Sequence, residues 1–172
     1  MRLRGSGVSR DSRLKVEIER NVPIRLYPLT RFFKHFEKVE ALRELFGNKT
    51  EEVLKGMKVE FYSSRWGYMG INDADGHIVI SAYHMKHSPF RTLYLDILHE
   101  LFHIKQHMDG KKLFLDEFDY FDSPIEIEAY EFTVKEARRI GMTDEEIVQY
   151  LEVPWADKKD LAKFIKKLNL KV

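Results

Sequence analysis

The 172-residue sequence predicts an α+β fold, with a small antiparallel sheet packed on two helices and further helices at the C-terminus. Three observations favour this class. Short strand-like segments lie between residues 59 and 83, and an apolar-periodic helical stretch follows around residues 93–108. A second helix is predicted from Ser123 to Ile140, because serine and proline open it and glycine follows its end.

The length fits one domain that is large enough for a hydrophobic core. Residues 1–13 are polar and are predicted to be a flexible N-terminus. A single domain is predicted at 14–172, with its core at about 58–141 and a C-terminal helical extension at 142–172.

The first elements of the domain are a short strand at 15–18 and a helix from Thr30 to Phe46. The helix is predicted from an apolar stripe, and Gly47 follows as its end. Thr50 is predicted to cap another short helical turn. The stripe consists of Phe32, Phe36, Val39 and Phe46.

Three strands are predicted next, at 59–62, 68–71 and 77–83, and the last two are joined by a turn-rich loop at 72–76. The segment 76–85 is expected to form the edge of the sheet. An extended peptide can add to such an edge by main-chain hydrogen bonds. An ordinary core hairpin is the alternative.

The strongest chemical signal is the sequence His-Glu-Leu-Phe-His at positions 99–103, which has the form H-E-x-x-H. Histidines four residues apart lie on one face of a helix, about 6 Å apart along its axis, so both can reach one metal ion. Glu100 lies beside them and can take a proton from an activated water. The alternative is two histidines on a solvated face, but apolar residues surround this helix and predict burial.

A hydrolytic zinc site needs a third protein ligand. The extended pattern with glycine and histidine at positions 106 and 109 is absent, because this chain has Gln106 and Asp109 there; Asp109 remains a weaker candidate. His107 is too far along the helix from His99 to share one ion. Glu126 is favoured, since it is the one acid on the packing face of the second helix, where a buried carboxylate needs a cation. Glu128 and Glu131 are outside candidates, and a salt bridge at the helix start is the alternative role for Glu126.

H-E-x-x-H at 99–103 followed by E-x-x-A at 126–129 resembles the motifs of the gluzincins, which are zinc metallopeptidases. Within them the chain is most similar to the minigluzincins and to the catalytic domains of CAAX-prenyl and HtpX-like endopeptidases; ImmA/IrrE-like regulatory peptidases share a similar layout. Those endopeptidases often carry an aspartate after the alanine, where this chain has Tyr130, so Asp96 is the candidate for orienting a ligand histidine.

The resemblance implies a zincin-like fold and a zinc-dependent endopeptidase that acts on peptide or protein substrates. His99, His103 and Glu126 would hold Zn²⁺, and Glu100 would be the general base. Two alternatives stay open: a structural or inactive zinc site in an interaction protein, and a regulatory peptidase specific for one repressor protein.

Charge and composition exclude several classes of partner and of metal site. The net charge of +1 gives no general attraction to nucleic acid, and the absence of cysteine excludes disulfides and thiolate zinc sites. No apolar run is long enough to span a membrane, and no signal-peptide core begins the chain, so a cytoplasmic location is expected.

The C-terminal extension is predicted to contain two helices. Thr143 and Glu146 form a capping box for the first, which runs to about Val153. The second, at about 157–168, is basic and amphipathic. It is expected to pack on the domain, while contact with an anionic surface and coverage of the cleft are the alternatives.

Overall fold

The computed structural model describes residues 8–11 and 13–171 of the chain. The chain divides into two compact units, the first ending at Glu100 and the second beginning at Leu101. This boundary lies within one continuous helix. The strands, all in the first unit, are β1 (Val8–Asp11), β2 (Leu14–Glu19), β3 (Leu26–Pro28), β4 (Phe33–Lys34), β5 (Lys58–Tyr62), β6 (Met69–Ile71) and β7 (Ile78–Ser81). The helices are α1 (Glu40–Phe46), α2 (Thr50–Gly56), α3 (Ala82–His87), α4 (Phe90–Met108), α5 (Pro124–Arg139), α6 (Asp144–Leu151) and α7 (Lys158–Lys167).

Two small sheets form in the first unit, and together with the helices they confirm the α+β class. One sheet has the order β1-β2-β4 and is antiparallel throughout. The other has the order β3-β5-β7-β6, in which β5 and β7 run parallel while the outer pairs are antiparallel. The predicted sheet is therefore mixed at its centre, because the chain leaves β5, forms the outer strand β6 and returns to place β7 between them.

Strand β1 lies within the segment 1–13, which the sequence predicts to be flexible. It pairs with β2, which confirms the strand predicted at 15–18. Residues 1–7 and 12 lie outside the described residues.

The prediction of one helix from Thr30 to Phe46 is wrong for most of this segment. Only α1 is an α-helix there; two 3₁₀ turns and β4 precede it. His35 has a left-handed backbone (φ 69°) and Val39 is extended, so a continuous helix cannot form. Phe33 pairs with Ile18 of β2 instead, because aromatic residues suit a strand and this pairing outweighs the helical period.

The predicted stripe is nevertheless buried, and it belongs to an aromatic core. Phe32 packs edge-on against Phe61 of β5 at a centroid distance of 4.8 Å. Phe36 contacts Phe33 and also Tyr94 of α4 at 5.7 and 5.8 Å. These ring contacts hold the start of α4 against the sheets of the first unit.

Thr50 begins α2 but does not cap it as predicted. Its buried hydroxyl donates its hydrogen toward the Gly47 carbonyl at 2.7 Å, with the Leu42 carbonyl also near at 3.3 Å, whereas a capping oxygen would accept a hydrogen bond. Thr50 thus ties α2 back to α1.

The hairpin predicted around residues 72–76 is confirmed. Ile71 of β6 pairs with Ile78 of β7, and Gly76 has the positive φ of 78° that the turn requires. The expectation that the segment 76–85 forms the sheet edge is wrong, because β7 lies between β5 and β6 and continues into α3. Strands β3 and β6 form the edges.

In the second unit, the end of α4 is followed by a 3₁₀ turn at Tyr120–Asp122 and then by α5, α6 and α7. The predicted capping box of α6 is present in full. Phe164 of α7 is completely buried and contacts the rings of Phe121 and Tyr130 at 4.9 and 5.2 Å. This confirms that α7 packs on its own unit through its apolar face.

Among the described residues, no helix combines the length and the apolar character that crossing a bilayer requires.

Candidate metal centre

Helix α4 carries the H-E-x-x-H segment at 99–103. Apolar residues on both sides of its histidines bury the helix, and Leu98 and Leu101 are fully inaccessible. The helix ends at Met108, at the end of the predicted helical stretch, and Gly110 follows with φ 81°. His99 and His103 are only 5% and 6% exposed, so the solvated-face alternative is wrong.

Glu126 comes from the first turn of α5. Pro124 begins this helix and Ser123 occupies the capping position, although the serine side chain makes no capping hydrogen bond. The partly buried carboxylate lies where the helix dipole favours an acid. Its Oε1 is 3.4 Å from Nε2 of His103.

His99, His103 and Glu126 form a cluster in which one ligand atom from each residue lies within 4.8 Å of the others. Zinc bonds of about 2.0–2.1 Å in tetrahedral geometry place ligand atoms about 3.3 Å apart, so the His103–Glu126 separation already fits. In the described part of the chain, Nδ1 of His99 and Oε2 of Glu126 are buried and make no hydrogen bond, although both residues interact through other atoms. Two imidazoles and a carboxylate are suitable ligands for a divalent metal ion.

The other candidate ligands have different partners or positions. Asp109 is bound by Lys105 one turn earlier on α4. Glu128 accepts hydrogen bonds from Lys111 and from Gln106. Glu131 is exposed on α5, and His107 is exposed on α4. Glu126 is the acid that the structure brings to the two histidines.

Glu100 is also buried, at 7% exposure, and follows His99 directly on α4. It is therefore turned about 100° around the helix axis from His99. A carboxylate in this position belongs to the same region of the helix as the two histidines. Its role as general base stays a prediction.

The motifs in the sequence do not point to Gln106, which is 2% exposed. Its Oε1 lies 2.8 Å from Nδ1 of His103, and its Nε2 donates to the Ile125 carbonyl at 3.0 Å and to Glu128 Oε2 at 2.9 Å. Gln106 thus links His103, a candidate metal ligand, to the start of α5. The spacing of three residues from His103, which places both on one helix face, is the signal that could have found it.

Glu128 is the last residue in this series of hydrogen bonds, and its pKa is shifted. The hydrogen bond from Lys111 lowers the pKa of the Glu128 carboxyl below its usual value, and partial burial opposes this shift. The hydrogen bond from Gln106 and the charge of Lys111 lower the pKa further. Glu128 is therefore held as a carboxylate that can accept both bonds.

Asp96, the predicted orienting residue, hydrogen-bonds a different histidine. Its Oδ2 lies 2.7 Å from Nε2 of His84, and Ser88 Oγ lies 2.8 Å from Nδ1 of the same ring. His84 belongs to α3. The role of Asp96 in orienting a ligand histidine stays a prediction. Tyr130, which stands where related motifs have aspartate, meets the hydroxyl of Tyr120 at 3.0 Å.

Comparisons of this chain with protein-family models, with curated proteins and with solved structures find no match. The resemblance to gluzincins therefore rests on the motif residues alone. The structure itself places two buried histidines and a glutamate close enough to bind a metal ion.

Proposed function

We propose that the chain is a zinc-dependent endopeptidase of the gluzincin type. The observation that carries this proposal is the cluster of His99, His103 and Glu126, with ligand atoms within 4.8 Å of one another beside the buried Glu100. Three protein ligands leave a fourth zinc position for water or substrate, as hydrolytic zinc sites require.

In this mechanism, His99, His103 and Glu126 would hold the zinc. When bound there, zinc would supply Lewis-acid chemistry and a water with a pKa of about 7. Glu100 accepts the proton of the attacking water and then delivers it to the leaving amine. The peptide bond is thereby split by one water into a carboxylate and an amine.

The metal part of the proposal is tested by elemental analysis of the purified protein and its Glu126→Ala variant. We expect about one zinc per chain in the parent and strongly reduced zinc in the variant, because three ligands become two. Glu131→Ala is the matched control, since Glu131 is an exposed acid of the same helix. Equal zinc in the parent and in Glu126→Ala would assign the third ligand elsewhere.

The catalytic part is tested by hydrolysis of an unfolded protein and of quenched fluorescent peptides. Glu100→Gln should retain zinc but lose turnover by about 10²–10⁴-fold, the usual contribution of a general base. Glu117→Gln, which changes an exposed glutamate, should leave turnover unchanged. A zinc-loaded parent that cleaves none of these substrates would favour a structural metal site. Full activity of Glu100→Gln would exclude Glu100 from the chemistry.

A further inference from the structure

The groups around the Gln106 side chain determine which side of its amide is the oxygen and which is the nitrogen. One side meets two groups that can only accept hydrogen bonds, the carbonyl of Ile125 and the carboxylate of Glu128, at 3.0 and 2.9 Å. The amide nitrogen, which has two N–H groups, must face them. A reversed amide would place its oxygen against both acceptors. The amide oxygen therefore faces Nδ1 of His103 at 2.8 Å.

This orientation determines which nitrogen of His103 carries hydrogen. Because an amide oxygen only accepts, Nδ1 of His103 must donate. In the neutral ring, Nε2 then has a lone pair, and it faces Oε1 of Glu126 at 3.4 Å. Two atoms with lone pairs at this separation are suited to share a cation.

We propose that Gln106 is a positioning residue, which holds His103 in the Nδ1–H tautomer so that Nε2 is presented to a divalent metal ion together with Glu126. This inference rests on the metal site of the proposed function but does not require peptidase activity. Lys111 contributes at the far end, because its Nζ lies 2.5 Å from Oε2 of Glu128, the same oxygen that accepts from Gln106. Hydrogen-bonded partners of this kind orient histidine ligands in metal sites generally.

The first test reads the tautomer directly in zinc-free protein. Side-chain ¹⁵N NMR of the histidines, recorded at about two pH units above the usual imidazole pKa of about 6.5, distinguishes the protonated nitrogen of each ring. We expect Nδ1–H for His103 in the parent. In Gln106→Leu the acceptor at Nδ1 is lost, and we expect the proton on Nε2, where Glu126 accepts it. Hydrogen on Nε2 in the parent, in a neutral or a charged ring, would overturn the proposal.

The second test measures zinc affinity by competition with a chromophoric chelator. Gln106→Leu should weaken zinc binding by about 10–100-fold, as is usual for partners of ligand histidines. Gln106→Glu keeps an acceptor for His103 but places a carboxylate against Glu128. Exchange of the two groups in the double variant Gln106→Glu, Glu128→Gln restores the contacts with His103 and with position 128, but not the one with the Ile125 carbonyl, and should recover part of the affinity.

The controls separate this inference from the peptidase proposal and from misfolding. Gln149→Leu makes the same change at an exposed position and should bind zinc like the parent. Unchanged affinity in Gln106→Leu, or a double variant no better than Gln106→Glu, would refute the positioning role. A correct tautomer in a protein that binds no zinc would refute the metal site, while zinc binding without hydrolysis would refute only the peptidase activity.

Discussion

Two buried histidines of similar exposure, His84 and His103, have opposite surroundings. At His84 the protein supplies a partner on each ring nitrogen, Asp96 on one and Ser88 on the other. At His103, Gln106 meets one nitrogen while the other faces the carboxylate of Glu126 beside a second histidine, His99. The difference separates a histidine with a protein partner on each ring nitrogen from one that belongs to a cluster able to bind a metal ion.

The largest expected effect tests the ligand side of this comparison. His103→Ala should weaken zinc binding by more than about 100-fold, beyond the range usual for residues that only orient ligands. Competition titration with a chelator measures the change. His84→Ala should leave zinc affinity unchanged, and a comparable loss in that variant would break the distinction.

The second prediction links zinc to stability. Zinc at 100 times its dissociation constant should raise the free energy of unfolding of the parent by about 2.7 kcal/mol, provided that the unfolded chain does not bind it. Urea unfolding with and without zinc measures this difference. Glu126→Ala should show a much smaller gain at the same zinc concentration, whereas Glu131→Ala should behave like the parent. Equal gains in all three proteins would contradict the site.

The third prediction concerns the structural side. His84→Ala removes a hydrogen-bond partner from Asp96 and Ser88, and we expect it to lower the free energy of unfolding by about 1–3 kcal/mol. His87→Ala is the matched control, because His87 is an exposed histidine of the same helix α3. Denaturant unfolding without zinc measures the free energy of unfolding of both variants. If His84→Ala were no less stable than His87→Ala, the paired contacts of His84 would have no structural importance.

The smallest expected effect is a pH dependence at Glu128. Its folded-state pKa is lowered mainly by the hydrogen bond from Lys111, so ionised Glu128 favours folding. This contribution is complete above the usual carboxyl pKa of 4.5 and is lost as the pH falls through the lower folded-state value. The stability difference between the parent and Glu128→Gln should therefore shrink on acidification. A difference that stays constant from neutral pH to about pH 3 would contradict the assignment.

The site elements could be predicted from the sequence because their signals are local. The first site helix, α4, is indicated by its apolar period and by Gly110 after its end. The second, α5, is indicated by Pro124 at its start. Glu126 could be selected because a charge on an otherwise apolar helix face needs a partner. That reasoning requires only the position of the residue on its own helix.

The sequence failed where contacts distant along the chain determine the local structure. The stripe at 32–46 has a helical period, yet the pairing of Phe33 with Ile18 makes part of it a strand. The central place of β7 depends on its parallel pairing with β5, which no local pattern encodes.

The bonds of the Gln106 amide have a consequence for the order of assembly. The amide contacts Ile125 and Glu128, which flank Glu126 in the first turn of α5. Docking of that turn therefore orients His103 and delivers Glu126 in one event. We therefore expect tight zinc binding to follow the docking of α5, because Glu126 reaches His103 only when that turn packs on α4. The rate of zinc uptake by the refolding chain would then measure the rate at which α5 docks.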